Sequence, residues 1–234
     1  MSEDLEIKKK VEQIKQTFQK EAAKLRRSII SELYPVINGI YSLDTSSRNF
    51  ELYKEAYNYF REKFKEKRGI LQSIFCEDIE FSKLKDKLYL LFFYLGAIES
   101  VGNSIVDMLV LLLVANGRDF HIECRSYRTP KIRHVYSIRE DLEKEWVPLG
   151  TKLSFLSENG IEKISRIIDS DLRNAIVHLK FEIKENRLIV KGEAAEIKIL
   201  VGLRRLFVVI NTVEAVMNKV AEDRGLLPKE DDKQ

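Results

Sequence analysis

The sequence predicts an all-α fold: an up-and-down helical bundle with a long central helix and a small β-hairpin late in the chain. Three observations carry this. Only 4 Pro and 10 Gly punctuate 234 residues, so the chain has few places to turn. Apolar residues make up 44% and charged residues 33%, the balance of a globular protein with a charged exterior. Runs rich in Leu, Ile, Lys and Glu repeat their apolar positions every three or four residues, as one face of a helix does.

The first helix is expected from about Glu3 to Leu33, with Ser2 as N-cap and Pro35 following its end. Ile7, Val11, Ile14, Phe18, Ala22, Leu25 and Ile29 form its apolar stripe. A second helix starts after Thr45-Ser46-Ser47 and stops near Gly69; its Tyr53, Tyr57, Phe60 and Phe64 share one face and read as core. A short helical piece follows around 70–80. The central helix covers about Ser82 to Asn116, apolar nearly all round, with Gly117 as its stop signal. Residues 118–139 have weak periodicity and a Pro, and a short helix near 138–146 ends before Pro148. A helix from about Gly160 to Leu179 leads into FEIKENRLIVKG, whose alternation around Glu185-Asn186 marks the hairpin. The last helix is expected from about Glu193 to Arg224, with Gly225 and Pro228 ending it. This divides the chain into an N-terminal helical extension over 1–81 packed on the bundle, a helical domain over 82–225, and a disordered tail over 226–234.

Several classes are disfavoured. Net charge is +3, too small by itself to imply nucleic-acid binding. Cys76 and Cys124 form no CxxC or Cys/His cluster, so no metal, cofactor or disulfide framework is expected. The run from 88 to 115 is interrupted by Glu99 and Asp107, leaving neither side the roughly 18–20 residues of a membrane span. MSEDLEIKKK is charged and lacks the apolar stretch of a secretory signal. The expectation is a cytoplasmic protein without a membrane partner. No P-loop, HExxH, GxSxG or Gly-rich dinucleotide motif occurs.

What remains is DLRNAIVH, residues 171–178. With about 100° per residue, Ile161, Ile164, Ile168, Leu172, Ala175, Ile176 and Leu179 gather on a core-facing side. Asp169, Arg173, Asn174 and His178 spread over the opposite side around Val177. In a monomer that side faces water. A second copy docked against it would form a cleft with two Arg and two His, so a symmetric dimer is the natural way to build a site here.

Arg173-Asn174-Ala-Ile-Val-His178 has the form R-N-x-x-x-H and resembles the motif of the HEPN superfamily (higher eukaryotes and prokaryotes nucleotide-binding domain). A long apolar helix before the motif and a β-like excursion and final helix after it also look like that family, over roughly residues 82–225. The resemblance implies a metal-independent endoribonuclease that acts as a homodimer and leaves a 2′,3′-cyclic phosphate, in the manner of toxins or defence effectors, with an antitoxin or regulatory protein as a further partner. The residue types suit that chemistry. A neutral His178 imidazole can take the proton of a ribose 2′-OH. Arg173 can neutralise phosphoryl charge with its fork, and Asn174 can orient the imidazole or donate to the phosphate. Toxins of the family that are silenced by a nucleotidyltransferase often carry Tyr two residues after the motif His; here Lys180 stands there, which disfavours that antitoxin type.

Two further regions bear on the site. Glu99, Asn103 and Asp107 recur every four residues as a polar stripe on the greasy central helix. A buried carboxylate needs a partner, and Arg173 is the candidate for Glu99. Between Arg118 and Arg139, six Arg/Lys stand against two acids, a balance of +4. Arg125, Arg128, Lys131 and Arg133 there could track an RNA backbone, with Tyr127 and Tyr136 stacking on bases. His121 and His134 read as exposed or capping residues. Two other functions stay open: a HEPN-like module that binds RNA or a nucleotide without cutting it, and a helical interaction protein that docks through its first helix.

Overall fold

The computed structural model describes residues 2–75, 84–124, 131–143, 147–168, 170–184 and 187–227. It is a mostly α-helical bundle with two small antiparallel sheets. Helix α1 spans Ser2–Ser42 and α2 spans Arg48–Phe75. Between them Asp44 accepts the backbone N–H of Ser46, and the Ser47 hydroxyl oxygen accepts the N–H of Phe50, an N-cap where the Thr-Ser-Ser run predicts one. The aromatic stripe of α2 is core: Tyr53 and Tyr57 are fully buried, and Phe60 and Phe64 nearly so.

Helix α1 does not stop before Pro35 but runs through it. A proline inside a helix costs about 3 kcal/mol or more. The apolar stripe runs through it, with Leu33 before and Val36 and Ile40 after all buried, and each buried aliphatic side chain is worth about 1.5–3 kcal/mol. Core burial therefore outweighs the lost hydrogen bond. Beyond Pro35, a Cβ on Gly39 would fall 1.4 Å from Asn116 Oδ1, so α1 crosses the end of the central rod at glycine distance. Likewise α2 runs past Gly69 to Phe75 and absorbs the start of the expected short piece; the rest of that piece, from residue 76, lies outside the described residues.

The central rod is α3 (Leu84–Ala97), a π-helical turn over Ile98–Gly102, and α4 (Asn103–Ala115). The N–H of Asn103 reaches back to Ile98 O, the five-residue bond of a π-turn. Ser100 and Ser104 donate their hydroxyls to the carbonyls of Gly96 and Ser100, each at 2.6 Å. Every residue of α4 from Ser104 to Ala115 is buried. Asn116 caps the rod by donating to Leu112 O at 2.8 Å, and Gly117 follows with φ +81°. The rod from Lys87 to Ala115 has the length and hydropathy of a membrane span, and 83% of its most apolar stretch is buried inside the molecule. It packs chiefly on α2, while α1 packs on α8 (Glu196–Asp223). Ile29 of α1, Tyr57 of α2, Leu109 of α4 and Val209 of α8 belong to one continuous buried cluster.

Four expectations need correction. The segment after Gly117 is not irregular but contains an antiparallel hairpin, β1 (His121–Cys124) with β2 (Lys131–His134); four-residue strands are too short for their alternation to stand out. The piece before Pro148 is a π-helical turn over Ile138–Glu143. An unanticipated α5 occupies Leu149–Glu158. The helix expected over 160–179 is broken into α6 (Glu162–Ile167) and α7 (Ser170–Val177), with Ile168 out of the helical region at ψ 76°. Neither Gly nor Pro marks the break; two consecutive β-branched residues, Ile167 and Ile168, weaken the helix there. The carboxylate of Glu32 on α1 caps α6 by accepting the Lys163 N–H at 2.9 and 3.0 Å.

After α7 the expected hairpin forms as β3 (Phe181–Lys184) and β4 (Arg187–Val190), extended by a short β5 (Glu193–Ala194). The last helix consequently starts at Glu196, three residues later than expected, and ends at Asp223. Residues 228–234, most of the predicted tail, lie outside the described residues.

Candidate functional site

Helix α7 is where sequence and structure meet. Ile161, Ile164, Ile168, Leu172, Ala175 and Ile176 are all buried, so the inward face holds across the break. Leu179 does not: it is 70% exposed. The chain leaves α7 through a tight turn in which Lys180 N–H donates to Ala175 O at 2.7 Å and Leu179 N–H to Ile176 O at 3.0 Å. That pattern needs a left-handed residue at position 179. Leu179 takes it with φ +52°, a conformation that costs a non-glycine residue about 1–2 kcal/mol. The turn thereby swings Leu179 off the inward face.

Arg173, Asn174 and Glu99 come together. The Nε of Arg173 donates to Glu99 Oε1 in an ion pair between α7 and the π-turn. One Nη of Arg173 donates to Asn174 Oδ1 at 2.8 Å. Both members of the ion pair are part-exposed, Arg173 at 26% and Glu99 at 36%. A guanidinium has five N–H donors; among the described residues these two partners fix its orientation and leave donors over. Asn174 is therefore occupied with the Arg and not with the imidazole.

All three line a cleft of about 790 Å³, walled also by Tyr59, Lys63, Asn103, Asp107, Glu143 and Lys152. Its floor is a second ion pair. Lys152 of α5, 3% exposed, donates to Asp107 Oδ1 at 2.6 Å and to Asn103 Oδ1 at 2.7 Å. Burial pushes the Asp107 carboxyl above the ordinary carboxylate value, and the Lys152 charge opposes that. Above the floor, the Tyr59 hydroxyl donates to Glu143 at 2.9 Å. Burial raises the Tyr59 phenol well above its ordinary value, with the Asp107 and Glu143 charges adding to the effect. Lys152 was missed in the sequence. Its signal is its place on the buried face of α5, one residue before Leu153 and four before Leu156, where a lysine must have a carboxylate to meet.

His178 is not part of this wall. Its N–H closes α7 on Asn174 O at 3.0 Å. Its side chain is exposed beside exposed Val177 and Leu179, and among the described residues the imidazole has no hydrogen-bond partner. Helix α3, which packs against α7, also exposes Tyr89 and Phe92, the latter at 58%.

Of the basic residues expected to bind RNA, Arg133 has a described side chain, and it does not line the cleft. Arg125, Tyr127 and Arg128 lie outside the described residues, as does the side chain of Lys131. Arg133 is tied down by a 2.5 Å ion pair with Asp141 and a 3.0 Å bond to Glu140 O. Asp141 also accepts the N–H groups of Tyr136 and Ser137 at 2.7 and 2.9 Å. Arg133 thus braces the second π-turn. Among the described residues no group of three or more His, Cys, Asp or Glu is placed to hold a metal ion. Comparison with protein-family models, curated proteins and solved structures finds no match for the chain.

Proposed function

We propose that the chain is a metal-independent endoribonuclease of the HEPN type that works as a homodimer. The observation that carries the reading is Arg173, oriented by Glu99 and Asn174 in the wall of an open cleft and still holding N–H donors for a phosphate. Lys63 also lines the cleft, 3.9 Å from the Glu143 carboxylate. Burying the exposed Val177, Leu179, Tyr89 and Phe92 against a second copy removes apolar surface from water and brings two copies of α7 together.

In that arrangement the His178 imidazole takes the proton of a ribose 2′-OH. The freed oxygen attacks the adjacent phosphorus, the bond to the 5′-oxygen breaks, and a 2′,3′-cyclic phosphate forms. The leaving 5′-oxygen takes a proton from the His178 of the partner subunit, and Arg173 neutralises the phosphoryl oxygens. A positioned base contributes about 10²–10⁴ in rate.

The deciding experiment incubates purified protein with several RNAs in EDTA. The expected result is cleavage with cyclic-phosphate ends, lost in His178→Ala while the thermal midpoint stays put. RNA left intact by wild-type dimer across all substrates overturns the reading. One observation favours the binding-only alternative: within one chain His178 stands outside the cleft that holds Arg173. Retained RNA binding without cleavage, weakened by Arg173→Ala, establishes that alternative.

A further inference from the structure

The β1–β2 hairpin carries a second cluster of chemistry-bearing side chains, separate from the cleft. His121 and His134 are register partners across the two strands. Their Nε2 atoms lie 3.2 Å apart, with ring centroids 4.0 Å apart and planes inclined by 48°. Both are exposed. Behind His134, Asp119 Oδ1 stands 3.6 Å from Nδ1. The Tyr136 ring stacks on His134 at 5.9 Å and is itself covered by the Arg48 guanidinium at 4.2 Å.

The separation of the two nitrogens has a chemical meaning. Two imidazole nitrogens, each about 2.0–2.1 Å from one ion, are about 3.3 Å apart at a tetrahedral angle and about 2.9 Å apart at a right angle. The observed 3.2 Å falls between, and turning the two exposed rings so that their centroids open from 4.0 Å to about 5 Å aims both lone pairs at one point. Asp119 stands near Nδ1 of His134, and a carboxylate that closes on that nitrogen holds the ring proton there and leaves the Nε2 lone pair for an ion, the arrangement that orients metal-binding histidines. Imidazole nitrogen suits zinc, nickel and copper, whereas magnesium and calcium prefer oxygen. We propose that His121 and His134 together bind one divalent transition-metal ion of the zinc, nickel or copper class through their Nε2 atoms, water completing the shell. The ion clamps β1 to β2 at the open end of the hairpin whose connection carries Arg125, Tyr127 and Arg128. It takes no part in the chemistry of the cleft, and the proposal stands independently of the ribonuclease reading.

The test uses the full chain, stripped with EDTA, desalted and titrated calorimetrically with zinc chloride and separately with nickel chloride, while the thermal midpoint is followed. Wild type is expected to bind one equivalent and to melt at higher temperature with the ion, whereas magnesium chloride does neither. His121→Ala and His134→Ala each weaken binding at least about tenfold and abolish the rise in midpoint, and Asp119→Asn weakens it by less. Both histidines are exposed, so the variants retain the fold, which circular dichroism verifies. Absence of saturable zinc and nickel binding into the millimolar range overturns the proposal and leaves the pair as a ring-to-ring hydrogen bond. Binding that is unchanged in the His121→Ala/His134→Ala double variant overturns it equally.

Discussion

Two ion pairs lean on the same central rod and differ mainly in water. Lys152–Asp107 is almost sealed, at 3% and 5% exposure, and Arg173–Glu99 is part-open, at 26% and 36%. Each pairs a carboxylate of the rod with a cation from a later helix, and both line the same cleft. Solvent separates their duties. A sealed pair has already met its desolvation cost and answers to the core. A part-open pair keeps donors a ligand can reach, at little cost to stability when they are used.

The sharpest way to break the comparison is Lys152→Met, which strands Asp107 in the core. It is expected to destabilise the protein by about 3–5 kcal/mol in urea unfolding, and adding Asp107→Leu restores most of that. A loss as small as that of an exposed pair ends the claim that this pair is structural.

Next comes pH. Asp107 has a folded-state pKa raised by burial above the ordinary 3.8. Its contribution to stability is therefore fully present below the unfolded value and is lost as pH rises through the folded one. The stability of wild type minus that of Asp107→Asn should fall across that window, measured by urea unfolding at successive pH values. A difference independent of pH removes the burial argument.

At the part-open pair, Arg173→Ala or Glu99→Gln should move stability by about 1 kcal/mol or less, while Arg173→Ala weakens RNA binding or cleavage severalfold or more. A large stability loss with unchanged RNA behaviour reverses the assignment of the two pairs. The smallest effect is expected at the exposed i,i+4 pair Glu162–Arg166, at 50% and 72% exposure. Glu162→Gln should cost about 0.3–0.5 kcal/mol.

Much of this was legible in the sequence because burial repeats with helical period. Tyr53, Tyr57, Phe60 and Phe64 announced the inner face of α2, and Ile164 to Ile176 announced that of α6 and α7 despite the break. Glu99 in an apolar run demanded a cation, and the structure supplies Arg173. What stayed hidden depends on tertiary contact. Lys152 reads as one more charged residue until α5 packs on the rod. Pro35 reads as a stop until the core beyond it is weighed. His121 and His134 become neighbours only through strand register, which the twelve intervening residues do not spell out.

The π-turn over Ile98–Gly102 makes the cleft sensitive to chain length. A plain α-helix advances about 100° per residue, so eight residues from Glu99 to Asp107 would overshoot two full turns and splay the two carboxylates apart. The wider turn absorbs the surplus and lets both face one cleft. Deleting a single residue there, such as Ser100, should regularise the helix and leave seven residues, about 700°, between the two carboxylates, within about 20° of two full turns. Such a shortened rod would keep its apolar surface, its helicity and the pairing of Glu99 with Arg173, whereas the same deletion inside α4 would turn Glu99 by about 100° away from Asp107 and the cleft. In this protein one residue of length, more than any one side chain, sets the phase of the site.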